Sequence, residues 1–463
     1  MSNPLNSSQV LRTSLPLILL WVLLAVLWMA GGASRADAAG QVIVRATSAG
    51  VLVIAALWSR ALSFASVAPV GWLLLAAMLF VALQLVPLPP GLWEVLPGRE
   101  SFYWAKINAQ ESWRPWAIVP SATLNALFSL IVPGATLLLM ACVSPEERAR
   151  LLPALLALIA LSMLVGLLQF TGASLNNPLV NDTPGVVAGS FANRNHLALF
   201  LALGCLLAPV WVFASGRRPG WRAPVGVGLL LLFALTILAT GSRAGMILGM
   251  FAITIGFLLS RRGLKGELRR YPRWVFLALI VTVVALIAVV VLLSIAADRA
   301  VSIERLLEND VAQDMRGRGL PVVLAMIRDY FPVGFGFGSF DAAFRMHEPF
   351  ELLKPTYFNH AHSDFLEVIL DAGLPGVLLL IAVTGWWAWA SIKAWRPRSR
   401  SDAMLPRLGS AMLLLVMLAS TVDYPARTPM IMAVVVIAAV WLSDHSSTRS
   451  RGSAALPDSG RHL

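Results

Sequence analysis

Charged residues are scarce in this 463-residue sequence: they occupy only 13% of the positions, whereas apolar residues occupy 58%. A water-soluble domain carries about 25% charged residues, so the composition excludes an ordinary soluble protein. Many apolar runs exceed the roughly 18 residues that a helix needs to cross a bilayer. The sequence therefore predicts an all-α polytopic membrane protein with about twelve transmembrane helices.

Cysteine is nearly absent, with two residues in the whole chain. Cys142 and Cys205 both lie in apolar runs, where a free cysteine packs as a small apolar side chain. They therefore predict packing within the membrane and not an external disulfide.

Acidic residues are fewer than basic ones, 24 against 36, which gives a net charge of +12. Nucleic-acid-binding proteins are also basic, so the placement of the charge decides between the two interpretations. With Arg12 on the inner side, the short inner segments hold 21 of the 36 Lys and Arg. Because Lys and Arg collect in short cytoplasmic loops, the charge indicates topology. We expect membrane lipids as partners and no nucleic acid.

Hydropathy divides the chain into spans that alternate in direction. They lie near 15–31, 44–59, 68–87, 122–143, 151–169, 196–214, 224–240, 244–260, 274–296, 375–392, 408–422 and 428–443. This topology places three long or polar connections outside, at 88–121, 170–195 and 297–374. We expect the last of them to be one large, partly helical external loop.

Four consecutive polar residues begin the sixth span: Asn193, Arg194, Asn195 and His196. One interpretation is a helix start at the membrane interface, with Asn193 or Asn195 as the N-cap. The other is an edge that binds sugar or phosphate, because amides and Arg are directed donors and a helix N-terminus favours an anion. The sequence leaves both open.

Two further clusters on the outer side contain arginines. Arg243 lies in a short break between two spans, and a charge so near the hydrocarbon predicts a functional site, with snorkelling to lipid headgroups as the alternative. Arg316 and Arg318 precede a predicted helix whose first turn suits Pro321. Glycine-rich residues 334–338 predict a flexible turn and not a phosphate loop, since no strand precedes them and no GK[ST] follows.

His360 and His362 stand one residue apart, just before an apolar run. Zinc binding needs further ligands, and no candidate has a recognisable spacing. Asp364 and Glu367 resemble a capping box, and Gly373 suits the end of a helix. Capping leaves both histidines unexplained, so a catalytic base stays as an interpretation.

Residues 88–117 hold four tryptophans and one tyrosine: Trp93, Tyr103, Trp104, Trp113 and Trp116. We interpret them as an amphipathic segment at the membrane interface, because both residue types favour the headgroup zone. Stacking on a glycan or a polyprenyl chain is the alternative.

In their order, these clusters resemble the O-antigen ligase and polymerase superfamily, many-span envelope enzymes that move glycans off undecaprenyl diphosphate. The ligase motif is His, then Asn, Ser or Gln, nine residues, Gly, two residues and Gly, and the sequence matches it without gaps from His362 to Gly376. The resemblance covers about 185–376, which we predict to be a ligase-like core that includes the large loop. Residues 1–184 would hold the N-terminal spans, and 377–463 the last spans and a basic cytoplasmic tail.

The resemblance implies roles for matching positions. His362 corresponds to the histidine taken as essential, and Arg243 and Arg318 correspond to two functional arginines. Arg316 competes with Arg318, because the tryptophan that often follows four residues after the second arginine is Val322 here. The candidates for substrate binding are Asn193, Arg194, His196, Arg316 and His360.

The resemblance also implies the chemistry: an inverting transfer from an undecaprenyl-diphosphate-linked glycan to lipid A–core, without metal or cofactor, at the periplasmic face of the bacterial inner membrane. The chain has no Asp-x-Asp motif to hold a cation. Arginines are then the expected counter-charge for the leaving diphosphate, and a neutral histidine is the expected base.

Two alternatives remain. A polymerase of O-antigen or exopolysaccharide would use the same donor and a growing glycan as acceptor. A twelve-span secondary transporter is less favoured, because transporters bind substrate near the midplane and the predicted mid-span regions are nearly free of ionisable groups.

Overall fold

The structure is a computed structural model. It describes residues 13–58, 64–100, 102, 113–173, 175, 177–181, 183, 185–214, 219–268, 274, 281, 285, 310–353, 358–396 and 404–444. The side chains of residues 64–66, 268 and 310–316 are outside this description. Arg12, most of the predicted ninth span and the tail beyond residue 444 also lie outside it.

The described chain is helical almost throughout. The helices before the large loop are α1 (Leu15–Ala30), α2 (Gly40–Trp58), α3 (Phe64–Leu83), α4 (Pro90–Glu94), α5 (Pro120–Ser129), α6 (Ile131–Cys142), α7 (Pro145–Arg148), α8 (Leu151–Phe170), α9 (Arg194–Phe213), α10 (Arg222–Ala239) and α11 (Arg243–Leu268). The later helices are α12 (Asp310–Tyr330), α13 (Phe340–His347), α14 (Asp364–Trp395), α15 (Met404–Ser420) and α16 (Pro429–Ser443), with 3-10 turns at Phe350–Leu352 and Pro425–Arg427. Two short strands, β1 (Pro87–Leu88) and β2 (Arg114–Pro115), pair antiparallel.

Eleven apolar helical segments of the described chain correspond to predicted spans. Seven are long and apolar enough to cross a membrane: Gly40–Trp58, Pro120–Cys142, Pro145–Phe170, Arg194–Phe213, Arg222–Ala239, Arg243–Glu267 and Asp364–Trp395. The shorter ones are Leu15–Ala30, Val67–Leu83, Met404–Ser420 and Pro429–Ser443. The prediction of an all-α polytopic membrane protein is confirmed.

Helix α9 lies at the centre of the bundle. Its sequence is apolar on every side, and all of its residues from His196 to Val210 are buried. Helices α8, α10, α11 and α15 surround it. A helix that is apolar all round is stable only where neighbours cover every face, so α9 fixes the position of the polar residues at its start.

The turns that carry the polar clusters meet on one face of the bundle. The amide of Ala192 donates to the carbonyl of Gly32, which joins the α8–α9 connection to the α1–α2 turn. The amide of Asp364 donates to the carbonyl of Asp423, which joins the start of α14 to the α15–α16 turn. We call this face the motif face; it is formed by residues 31–39, 171–173, 175, 177–181, 183, 185–193, 240–242, 331–353, 358–363 and 421–428.

Segments that the predicted topology places inside meet on the opposite face. The backbone amide and hydroxyl of Ser14 both donate to the carboxylate of Glu147. Arg148 is buried, and its Nη1 lies 3.0 Å from a carboxylate oxygen of Asp444. The two faces therefore separate the chain as the alternating spans predict.

The described part of the large loop forms a helical unit with its own apolar core, which is built from α12, α13 and the start of α14. Helix α12 has begun by Asp310, so Arg316 and Arg318 lie within it and Pro321 lies in its interior. The prediction that these arginines precede the helix is wrong. Proline removes one intrahelical hydrogen bond, and packing of α12 on α14 holds the helix through it.

Residues 334–338 form the predicted turn, and hydrogen bonds hold it against neighbouring helices. Gly334, Gly336 and Gly338 all have positive φ, a conformation that favours glycine. The amide of Gly336 donates to the carbonyl of Asp371 at 2.9 Å, and the amide of Phe337 donates to Oε1 of Gln84 at 3.0 Å. The turn therefore connects α14 with the end of α3.

The tryptophan-rich segment is partly a folded hairpin around β1 and β2. Trp93 is buried, and its Nε1 donates to the carbonyl of Pro115 at 2.9 Å. Trp113 is exposed. Tyr103 and Trp104 lie outside the described residues, and the interfacial role of the segment stays a prediction.

Candidate functional site

His362 lies in the turn just before α14, on the motif face. Its φ of 53° is in the left-handed region, which costs a residue other than glycine about 1–3 kcal/mol. Its Nδ1 lies 2.9 Å from the carbonyl oxygen of His360. A carbonyl only accepts, so in the neutral ring Nδ1 carries the proton and Nε2 does not. The ring packs on Phe358 and Tyr424, with centroids 4.9 and 5.4 Å away.

His360 is held by a buried carboxylate. Its Nδ1 lies 2.9 Å from Oε1 of Glu367, and the amide of Ala361 donates to Oε2 of the same side chain at 2.8 Å. On the other side of the ring, Nε2 lies 3.4 Å from the hydroxyl of Ser34. A histidine with one nitrogen on a carboxylate has a fixed ring orientation. Glu367 therefore positions His360.

The N-cap of α14 is Ser363, whose hydroxyl accepts from the amide of Leu366 at 3.4 Å. The predicted capping box of Asp364 and Glu367 is wrong, because both residues lie inside the helix. Glu367 reaches back past the cap to residues 358–363, which we call the histidine turn. Asp364 accepts from the hydroxyl of Ser420 at 2.8 Å.

Gly373 marks a kink in α14 and does not end the helix. Its backbone angles are φ 56° and ψ −138°, outside the helical region. A Cβ at this position would lie 2.1 Å from the carbonyl oxygen of Pro332, and the next amide, of Leu374, donates to that oxygen at 2.8 Å. The predicted tenth span therefore extends back from residue 375 to Asp364.

Arg427, in the α15–α16 turn, contacts three carboxylates of α14. Its nitrogens lie 3.5 Å from Asp364, 3.1 Å from Glu367 and 3.3 Å from Asp371. These acids follow each other at i, i+3 and i+7 and so share one face of the helix. They lie in the first turns of the helix, before the predicted span at 375–392. Among the described residues, no group of three or more His, Cys, Asp or Glu is arranged to hold a metal ion.

The start of α9 is joined to the same turn through Asp423. Asn193 is the N-cap of α9, since its Oδ1 accepts from the amide of Asn195 at 2.9 Å; this confirms one of the two predicted caps. The side-chain amides of Asn193 and Asn195 both donate to the carboxylate of Asp423. His196 is buried, with Nδ1 3.0 Å from the hydroxyl of Thr428 and Nε2 3.8 Å from Asp423. It is a side chain of the bundle interior.

Arg194, in the first turn of α9, and Arg243, at the start of α11, are both exposed. Arg243 is the first residue of α11, and Ser242 caps that helix by accepting from the amide of Gly245 at 3.0 Å. A Cβ on Gly241 would lie 3.9 Å from Nη1 of Arg194. The α10–α11 turn therefore presents Arg243 beside the start of α9.

The large loop brings Arg318 near the histidine turn. A Cβ on Gly319 would lie 3.0 Å from the ring of Phe358, the ring that contacts His362. Arg318 is exposed, and its Nη2 donates to the carbonyl of Glu351 at 3.4 Å. The side chain of Arg316 lies outside the described residues.

A cavity of about 910 Å³ opens at the histidine turn. Its polar end includes Ser34, Asn359, His360 and Arg427. Its walls are apolar side chains of α3, α14, α15 and α16, among them Leu74, Leu380, Trp387, Val416 and Val436. His360 lines this cavity, whereas Arg194, Arg243, Arg318 and His362 are not among its described lining residues. The site combines a polar head region with an apolar groove.

Several residues of this arrangement are not predicted from the sequence: Glu367 as the partner of His360, Asp371, Asp423, Tyr424 and Arg427. A signal was present for most of them. Asp423 and Arg427 lie in a short break between two apolar spans, the criterion that selects Arg243. The three acids on one face of α14 are not recognised from hydropathy, because they precede residue 375, where the predicted tenth span begins.

Two comparisons with known proteins match parts of this chain. The sequence model of the O-antigen ligase family matches residues 228–381, which include Arg243, Arg318 and His362. The exopolysaccharide production protein ExoQ of Rhizobium meliloti (strain 1021) is 26% identical over 238 residues, which are 49% of this chain. The chain spans about half of that relative's length, 52%. The resemblance to the O-antigen ligase and polymerase superfamily is thus confirmed, and its O-antigen ligase match lies on the helices that carry the histidine turn.

Proposed function

We propose that this protein transfers a glycan from a polyprenyl diphosphate to an acceptor hydroxyl, at the periplasmic face of the bacterial inner membrane. The observation that carries the proposal is the cavity, which has a histidine and an arginine at its polar end and apolar helices along its walls. A lipid-linked sugar has the same two parts, a long hydrocarbon chain and a charged, hydroxyl-rich head. The groove fits the first and the histidine turn fits the second.

His362 is the proposed general base. The contact of its Nδ1 with the carbonyl of His360 leaves Nε2 unprotonated in the neutral ring, so Nε2 can accept the proton of the acceptor hydroxyl. The hydroxyl oxygen then forms the new bond at the anomeric carbon while the bond to the diphosphate breaks. Attack opposite the leaving group inverts the anomeric configuration.

Arg243 and Arg318 are the proposed counter-charges for the departing diphosphate, because guanidinium groups bind phosphate oxygens through two parallel hydrogen bonds. His360 lines the cavity and is oriented by Glu367. We assign it to binding the glycan head. Asn193, Arg194 and His196 form the edge of α9 that adjoins this site, and Asn193 and His196 stabilise it through Asp423 and Thr428.

Lipid A–core is the first proposed acceptor, in keeping with the O-antigen ligase match. The second candidate is polymerisation, with a growing glycan as acceptor, and the name of the exopolysaccharide relative favours it. A deletion strain separates the two. Lipid-linked polymer that accumulates beside bare lipid A–core supports the ligase, whereas core capped with single repeats supports the polymerase. A deletion strain with unchanged envelope glycans would overturn both.

A further inference from the structure

Arg45 is a cation inside a membrane-spanning helix. It lies five residues into α2, whose first residue, Gly40, is tied to the motif face by donating to the carbonyl of Leu179. At 1.5 Å per residue, Arg45 is about 7.5 Å below that face. A charge at such a depth is costly and marks a functional site unless it reaches water or a partner.

The described surroundings of Arg45 satisfy it poorly. Its Nη2 donates to the carbonyl of Asn125 at 3.5 Å, which is a long hydrogen bond. Its Nε is buried and has no hydrogen-bond partner among the described residues. Among those residues no carboxylate forms an ion pair with it either. A buried donor left unpaired costs about 1–3 kcal/mol, so the position is adapted to an acceptor from outside the chain.

Arg45 lines the same cavity as His360, and the other charged side chains that are described in its lining have partners. Arg35 pairs with Asp37. Asp341 pairs with Arg345, and Asp364 pairs with Arg427. Arg45 is therefore the charged side chain of the described lining that has no ion-pair partner among the described residues.

The cavity also determines what kind of anion can reach Arg45. Gln41, Ser121, Asn125 and Ser129 line it around the guanidinium and supply hydrogen-bonding groups. Beyond them the walls are the apolar side chains of α3 and α14–α16. The rest of a molecule whose anionic group binds here contacts apolar side chains. This environment fits a phosphate attached to a lipid and disfavours a free, fully hydrated phosphate ion.

We propose that Arg45 binds the diphosphate of the polyprenyl donor in this groove, about one and a half turns of α2 below the motif face. The inference rests on the proposed function, and it adds a phosphate-binding residue on α2, outside the O-antigen ligase match at 228–381. The guanidinium contacts phosphate oxygens while the polyprenyl chain lies along α14. Arg45 acts in binding, so its loss raises the KM for the donor more than it lowers kcat.

The test measures binding of undecaprenyl diphosphate without a glycan to the purified full-length protein in nanodiscs, by native mass spectrometry or quenching of tryptophan fluorescence. R45A and R45Q remove the charge, and R45Q keeps hydrogen-bond donors in case R45A does not fold. R45K keeps the charge but lacks the planar guanidinium group that can donate two parallel hydrogen bonds. We expect at least a tenfold rise in Kd for R45A and R45Q and a smaller one for R45K. The control R328A removes an arginine that is 83% exposed and leaves Kd unchanged.

The outcomes separate this inference from the proposed function. Wild-type binding that R45A and R45Q both retain overturns the role of Arg45 and leaves glycan transfer standing. Wild-type protein that does not bind undecaprenyl diphosphate overturns the inference and the donor of the proposed function together. Phosphatidylglycerol is the second probe: if it binds as tightly as the diphosphate in an Arg45-dependent manner, the site takes any lipid phosphate and the diphosphate assignment is overturned.

Discussion

Arg427 and Glu367 form an ion pair, with 3.1 Å between Nη1 and Oε1, that ties the α15–α16 turn to the first two turns of α14. Burial lowers the pKa of Arg427, but Glu367, Asp371 and Asp364 outweigh burial and raise the pKa above its ordinary value. Arg427 therefore stays charged at any physiological pH. Because Glu367 in turn holds His360, the ion pair connects the helix bundle to the histidine turn.

Replacement of Arg427 by Ala leaves three buried carboxylates without their common cation. Removing one partner of a buried ion pair costs about 3–5 kcal/mol, so we expect R427A to lower the Tm in detergent sharply or to abolish accumulation of the protein. The matched control is R345A, which breaks an exposed ion pair with Asp341 worth about 0–1 kcal/mol. Equal Tm values for R427A and the wild type would contradict the role of the cluster.

Substitution of Gly373 tests the kink in α14. In G373A the new Cβ would lie 2.1 Å from the carbonyl oxygen of Pro332, and the alanine would have to adopt a positive φ. We expect destabilisation by at least the roughly 1–3 kcal/mol of such a conformation, measured by thermal unfolding. A Cβ on Gly385, in the same helix, would meet no described side chain or neighbouring element within 4 Å, and G385A should be neutral or stabilising by up to about 1 kcal/mol.

The role of His362 as the base is tested by comparing the glycan-transfer activity of variants that are as stable as the wild type. H362A should lower glycan transfer by about 10²–10⁴-fold, the usual contribution of a general base, in an assay with purified protein and lipid-linked donor. H347A is the control, because His347 caps α13 through the carbonyl of Ala343, away from the cavity. Transfer by H362A at the wild-type rate would exclude it as the base and leave His360 with Glu367 as the candidate.

Removal of divalent cations should leave glycan transfer unchanged. The carboxylates nearest to His360 are already paired with Arg427, and arginine is the proposed counter-charge for the diphosphate. The measurement is the transfer rate in EDTA and after restoring Mg²⁺. A rate that falls in EDTA and returns with Mg²⁺ would contradict the metal-independent mechanism.

The membrane architecture could be predicted from the sequence because its signal is local. Each span is a run of apolar residues, and the excess of basic residues at its ends orders the spans. The N-cap at Asn193 was equally local, since it depends on a side chain and an amide two residues apart. Most of the described spans are therefore recovered with boundaries a few residues off, whereas the tenth begins 11 residues earlier than predicted, at Asp364 and not at 375.

The composition of the site could not be predicted, because it depends on contacts between distant segments. Arg427 and Glu367 are far apart in the chain, and no periodicity indicates that they meet. The position of Asp364 inside a span depends on the kink at Gly373, which lets the helix continue through a residue that is typical of a helix end. The motif order selected candidate histidines and arginines but not the residues that contact them, such as Glu367 beside His360.

The α15–α16 turn has a consequence for how the chain can be divided. Asp423 contacts the start of α9 and Arg427 contacts the start of α14, so one short turn brackets the beginnings of two helices that belong to the predicted central domain. A fragment made of residues 185–376 alone would lack both side chains. The C-terminal hairpin is thus a structural part of the histidine site, and a shortened protein that ends before residue 421 would lose the site's order although every motif is present.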